Sequence, residues 1–325
     1  MLPFIRKSVN YQIHAIQWIN EKPMLAVLGQ LPNGTGVLYI YRLAKNELVP
    51  EHGNCQFIDM PTAMNTLGND LIIAESNKLS IWDVQDLTVP KRTIPLNGHH
   101  VQCMDCFGGS ATQKGPPEIV VGGDNRVLIY DIRQDMPVVE ITEKMQPWTV
   151  AFGNAGDEVH RNIAVGFAQG SIKLYDLAQK ACIWEINVGI GVCCIEFDVK
   201  NEFQNKLTAG CLRGVFHVFN LSDMENVVQV TKENKDDPAT IWTLGHSPHY
   251  RDGIIVCINN AMQLFHYSKT DKAKGTIKLV DCLAHMSEQP IRVFQFNKKI
   301  VGLCVMGSFD QILSVLMVPN VKKCQ

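Results

Sequence analysis

Charge is scarce in this chain. Lys, Arg, Asp and Glu make up 19% of its 325 residues, against about 25% in an average globular sequence. The signs nearly cancel, to a net charge of −2. Basic residues are scattered, with Lys-Lys doublets only at Lys298-Lys299 and Lys322-Lys323, so no nucleic-acid-binding stripe is formed. No apolar run reaches the about 18 residues of a membrane-spanning helix. The opening MLPFIRKSVN lacks the continuous apolar segment of a secretory signal. Catalytic signatures are missing too: there is no Gly-x-Ser-x-Gly elbow, no Walker phosphate loop and no Gly-x-Gly-x-x-Gly. No carboxylate pair is placed for acid/base work. Glu196 and Asp198 share a strand face, which the alternation of apolar and polar residues explains. The expectation is a protein that is not an enzyme, with no cofactor, no metal, no nucleic acid and no membrane among its partners.

Cysteine is plentiful, with 11 residues. In a chain without a secretory signal these read as free thiols in a reducing compartment, and a cytoplasmic location is expected. Cys103 and Cys106 form the single Cys-x-x-Cys. At that spacing two strand residues face apart, so a shared zinc ion is not expected. Adjacent Cys193 and Cys194 likewise face apart. His217 alternates within VFHVF and reads as a strand histidine, either satisfied inside or facing solvent.

What is present is a repeat. Seven apolar runs share one shape: VLYIYRL, LSIWDVQ, VLIYDIR, IKLYDLA, VFHVFNL, MQLFHYS and ILSVLMV. Each carries a large residue near its end, at Tyr41, Trp82, Tyr130, Tyr175, Phe219, Phe265 and Leu316, about 41–51 residues apart. Six residues earlier stand Thr35, Ser76, Asp124, Gln169, Arg213, Asn259 and Asp310. The following residue is Gly36, Asn77, Asn125, Gly170, Gly214, Asn260 or Gln311. All but Gln311 are types that readily take positive φ, which predicts a tight turn feeding each strand. Two more strand candidates precede every turn, and an outer strand completes each unit. The sequence predicts an all-β, seven-bladed β-propeller over 1–325. The last unit supplies three strands before the chain ends, so residues about 3–9 are expected to close the last blade.

The order of elements resembles the WD repeat, although literal signatures are sparse. Trp-Asp occurs at Trp82-Asp83 and Gly-His at Gly98-His99, in different units. Asp124 and Asp310 match the structural Asp of that repeat. WTVAFGNA (148–155), GVCCIEFD (191–198), NKLTAGCLRGVFHVFNL (205–221), PPEIVVGG (116–123) and GLCVMGSFDQILSVLMV (302–318) are similar to the Monad family, WD-repeat factors for axonemal dynein assembly. The likeness runs from about Asn33 to Val318, with weaker stretches at 42–100 and 225–290. It implies a divergent member, a seven-bladed WD-repeat β-propeller. It implies cytoplasmic work as a co-chaperone adaptor with an Hsp90-linked complex containing RuvB-like ATPases, and dynein chains as clients.

Aligning the innermost strands picks out one register: His14, Ala63, Gln102, Trp148, Cys193, Trp242 and Arg292. By analogy with WD repeats it lines the mouth of the central channel. His14, Gln102, Trp148, Trp242 and Arg292 are candidate protein-binding residues, since Trp and Arg are frequent interaction anchors. The alternative is that the two Trp fill gaps between blades. Arg213, where the family often has Asp, reads as a partner contact or a solvated loop residue. Tyr130-Asp131-Ile132-Arg133 resembles the short box of substrate receptors for cullin-type ubiquitin ligases, which gives an alternative function. The polar stretches 231–238 and 268–278 read as surface loops.

Overall fold

In the computed structural model, residues 1–19, 23–51, 55–57, 60–108, 115–153, 161–198, 206–234, 238–250, 252–269 and 275–318 are described. Parts of the two polar stretches, 235–237 and 270–274, lie outside the described residues.

The described residues form seven antiparallel sheets and one short 3₁₀ turn, Leu212–Gly214. In chain order, the first strands of the sheets are Gln12–Ile19, Ala63–Leu67, Cys103–Phe107, Pro147–Phe152, Val192–Phe197, Ile241–His246 and Ile291–Phe296. Each of these touches the first strand of the next sheet, and the last touches the first. The contacts close a ring, so these are the innermost strands of seven radial blades, numbered 1–7 here. The fold is a seven-bladed β-propeller.

Burial follows the radial position. Second strands such as Glu118–Gly123 and Gly253–Ile258 are buried at every residue, because both faces lie against other blades, and their sequences are continuous apolar runs. Outer strands such as Ala181–Asn187 and Val228–Glu233 have one face in solvent and alternate. The core consists of seven clusters, each joining two successive blades. Ile73 and Trp82 of blade 2 pack with Leu28 and Leu38 of blade 1. The remaining six repeat the arrangement around the ring, through Phe216 and Val218 of blade 5 with Ile254 and Phe265 of blade 6.

In blade 7 the strands run Ile291–Phe296, Leu303–Ser308, Ile312–Met317 and then Leu2–Ser8 from the other end of the chain. Leu2–Ser8 pairs antiparallel with Ile312–Met317 and bulges at Phe4. Its Ile5 enters the cluster that joins blades 7 and 1, beside Tyr11, Val305 and Leu313.

The turns between second and third strands correct one expectation. Asn125, Gly170 and Gly214 take positive φ as predicted, the first and third following a positive-φ Asp124 and Arg213. In blade 6 the residue at positive φ is Asn259, one position early, and in blade 7 it is Gln311. Neither Gly36 nor Asn77 is at positive φ. Gly36 answers a different need: a Cβ there would lie 2.2 Å from Pro61 Cδ. Asp124 and Asp310 do the same work in blades 3 and 7. Asp124 accepts the His100 N–H at 2.6 Å, and Asp310 accepts the Glu288 N–H at 2.8 Å. Each ties its turn to the segment that leads into its own blade.

Candidate functional site

Five of the seven aligned positions share a backbone device. The pairing of first and second strands skips one residue between Ile13 and Ala15, Pro147 and Thr149, Val192 and Cys194, Ile241 and Thr243, and Ile291 and Val293. The skipped residues are His14, Trp148, Cys193, Trp242 and Arg292. A bulge leaves its residue out of the ladder and re-aims the side chain. All lie near the starts of innermost strands, at the same end of the propeller as the turns holding Asp124 and Asp310. Ala63 pairs regularly with Ala74. Gln102 stands one residue before its strand and donates its N–H to Gly122.

The side chains at this mouth reach across blade boundaries. Trp148 of blade 4 lies over Gly191, at the entrance to blade 5, where a Cβ would come 2.9 Å from the indole Cζ3. Gln146 of blade 4 donates its amide to Gln102 Oε1 at 2.7 Å. Trp242 of blade 6 meets the Phe309 ring of blade 7 edge to face, with centroids 5.6 Å apart. The Arg292 guanidinium lies over the same ring at 5.4 Å. His14 of blade 1 lies within electrostatic reach of Arg292. Burial, and then the charge of Arg292, push its pKa down to about 4, so it is neutral at physiological pH.

The predicted residues therefore fall into two groups. Trp242, Arg292 and His14 converge across blades 6, 7 and 1. Trp148 and Gln102 sit between blades 3, 4 and 5. Trp148 is half-buried and fills an interblade gap, whereas Trp242 is 44% exposed. Phe309, which the sequence did not single out, joins Trp242 to Arg292. Its backbone N–H donates to Pro290 O at 3.1 Å, which anchors the main chain that carries the ring. Its signal is its place in the turn of blade 7, immediately before the structural Asp310.

Three residues below the mouth lies a polar belt that the sequence pattern did not single out either. Asp105 of blade 3 accepts the Phe152 N–H of blade 4 at 2.8 Å. Glu196 of blade 5 accepts the His246 N–H of blade 6 at 2.9 Å. Gln295 of blade 7 accepts the Trp18 N–H of blade 1 at 2.6 Å and also pairs with Gln17. Gln17 in turn donates to Met64 O of blade 2 at 3.3 Å. Burial raises the pKa of both carboxyls, that of Glu196 to about 8. Extending the aligned register by three residues exposes this belt. Asp198 has a separate role, 3.1 Å from Lys206 Nζ in a buried ion pair.

The Tyr130–Arg133 segment lies at the opposite end of blade 3. Tyr130 is buried in the core between blades 2 and 3. Asp131 is buried as well, and accepts the Arg133 Nε–H at 2.8 Å, while the Arg133 side chain is 66% exposed. Arg213 has a left-handed backbone at φ 58° in its turn. His217 is 5% exposed and faces inward, its Nδ1 2.9 Å from both Thr231 Oγ1 and Gln229 Nε2. Cys103 and Cys106 belong to cores on opposite faces of their sheet. The ten cysteines among the described residues are all free. No group of three His, Cys, Asp or Glu residues fit to hold a metal occurs among the described residues, and no described helix is long and apolar enough to cross a membrane.

No protein-family model matches the chain. Similarity to whole proteins is extensive. Dynein axonemal assembly factor 10 of Xenopus laevis is 31% identical over 99% of this chain and 97% of its own length. The Homo sapiens protein of that name is 30% identical over 99% of this chain and 98% of itself. That of Chlamydomonas reinhardtii is 27% identical over the same shares. With such likeness running nearly end to end, the chain belongs to the dynein axonemal assembly factor 10 family.

Proposed function

We propose that this chain is a non-enzymatic scaffold that helps to assemble axonemal dyneins by holding other proteins on its rims. The observation that carries this reading is the end-to-end similarity to relatives named as dynein axonemal assembly factors. A rigid ring with aromatic and cationic side chains at one mouth is suited to gripping protein segments, since such groups dominate interaction energies. In the finer form of the proposal the protein works in the cytoplasm as a co-chaperone adaptor. It links an Hsp90-linked complex containing RuvB-like ATPases to dynein chains as clients. The resemblance in the sequence supports that part.

The test is depletion in cells building motile cilia, with rescue by the tagged chain and mass spectrometry of what co-purifies. Loss of axonemal dynein on depletion, restored by the chain, is expected, with Hsp90 partners and RuvB-like ATPases recovered. Normal axonemal dynein after depletion overturns the proposal. Recovery of a cullin adaptor that disappears in Arg133→Ala would instead favour the ubiquitin-ligase receptor.

A further inference from the structure

Arg292 is a cation without a counter-ion among the described residues. Its guanidinium has five N–H donors and no acceptor, yet it takes part in none of the ion pairs among those residues. Its one described contact is the face of Phe309. Burial lowers its pKa, with no neighbouring acid acting in opposition. The imidazole of His14, within electrostatic reach, is neutral and brings no compensating charge. Its Nε2 is buried without a hydrogen-bond partner. The nearby Asp310 carboxylate is occupied by the Glu288 N–H and the Ser308 hydroxyl. A partly desolvated charge without a partner is costly, and an arriving anion relieves that cost. Beside this cation stands Trp242, 44% exposed and braced edge-on by Phe309.

The opposite mouth of the channel offers less. Lys298 and Lys299 are exposed there, beside a cavity lined by Trp18, Thr66 and Gln295. Both lysines are exposed, however, so water solvates their charges and an anion would relieve no burial cost there.

We propose that the mouth formed by His14, Trp242, Arg292 and Phe309 binds a partner peptide that presents an Asp or Glu side chain next to an aliphatic residue. The carboxylate pairs with Arg292 over the Phe309 ring. The aliphatic residue covers Trp242. This deepens the scaffold reading and rests on it, naming the chemistry of the segment the scaffold holds.

The experiment pans a random dodecapeptide phage library against the full chain, with Arg292→Gln as counter-selection, and measures selected peptides by fluorescence anisotropy. Enrichment of Asp or Glu beside Leu, Ile or Val is expected. Replacing that acid by its amide should weaken binding about 10-fold or more, and raised salt should narrow the difference. Arg292→Gln should abolish the preference for acid over amide. Trp242→Ala, at an exposed position, should weaken acid and amide peptides alike. Enrichment of peptides without an acid, no enrichment over the counter-selection, or discrimination that survives in Arg292→Gln overturns the inference. The depletion experiment is independent: axonemal dynein lost on depletion alongside an indifferent Arg292 rejects this site and leaves the scaffold standing.

Discussion

The Asp105 carboxylate in blade 3 accepts the Phe152 N–H in blade 4 at 2.8 Å, and Glu196 in blade 5 stands in the same relation to His246 in blade 6. In each pair the acceptor lies three residues beyond the bulge register and the donor four residues beyond it in the next blade. Innermost strands have no ladder partner on their channel side, so their N–H groups need side-chain acceptors. The belt supplies these and couples neighbouring blades.

Asp105 also accepts Asn65 Nδ2 at 2.7 Å and the Cys106 N–H at 2.8 Å. Asp105→Ala therefore leaves several donors without their acceptor. A loss of about 2–3 kcal/mol is expected from urea unfolding, since each buried orphan costs about 1–3 kcal/mol. Asp105→Asn keeps one acceptor oxygen and should cost about half as much. Equal losses for the two variants would show that the acceptors do not couple the blades.

Glu196 gives a pH signature. Burial first, and then the charges of Asp105 and Asp198, raise its pKa to about 8, against the opposing pull of the His246 N–H and Lys298. The unfolded chain ionises Glu near 4.5. Between those values the native state holds a proton that the unfolded state has released, so stability falls as pH rises through this window. Glu196→Gln keeps the acceptor for His246 and removes the ionisation. It should match the parent at pH 5 and exceed it by about 1–3 kcal/mol at pH 9. Parallel denaturation curves at the two pH values would reject the assignment.

The repeat was legible because burial on both faces demands continuous apolar second strands and half-exposed outer strands demand alternation. EIVVGG and GIIVCI announce the first requirement. The aligned register coincides with the bulges of five blades, because the innermost strands start from equivalent places around the ring. What an alignment of strands cannot supply is who touches whom. Trp148 and Trp242 occupy equivalent places, yet one packs on Gly191 and the other stays open, according to what the next blade offers. Phe309 was hidden because it lies outside the aligned strand, and the polar belt because its members alternate like ordinary strand residues. The turn of blade 1 diverged because Gly36 serves a close approach to Pro61 rather than a left-handed backbone.

Ring closure by Leu2–Ser8 predicts a separation between two neighbouring residues. Ile5 is 6% exposed between blades 7 and 1, whereas Phe4 is 37% exposed at the bulge. Ile5→Ala should cost about 2–4 kcal/mol through the cavity it leaves. Phe4→Ala should stay within about 1 kcal/mol, as outward-facing substitutions generally do. Deleting residues 1–8 should lower the Tm more than either. A truncated chain that melts with the parent would show that blade 7 is stable with three strands.

The two tryptophans should separate in the same way. Trp148 rests on Gly191 at the boundary of blades 4 and 5, and any side chain at Gly191 meets both the indole and Ala168 O, 2.7 Å from the position of a Cβ. Trp148→Ala opens that boundary and should cost about 2–4 kcal/mol. Gly191→Ala should also destabilise, by displacing the ring or the backbone. Trp242→Ala should change stability by less than about 1 kcal/mol, because its exposed indole closes no core. Thermal melts of the three variants, read beside partner recovery, divide packing from recognition. A Trp242→Ala protein that unfolds as readily as Trp148→Ala would place both rings in the core, and the mouth would lose its claim to be a binding surface.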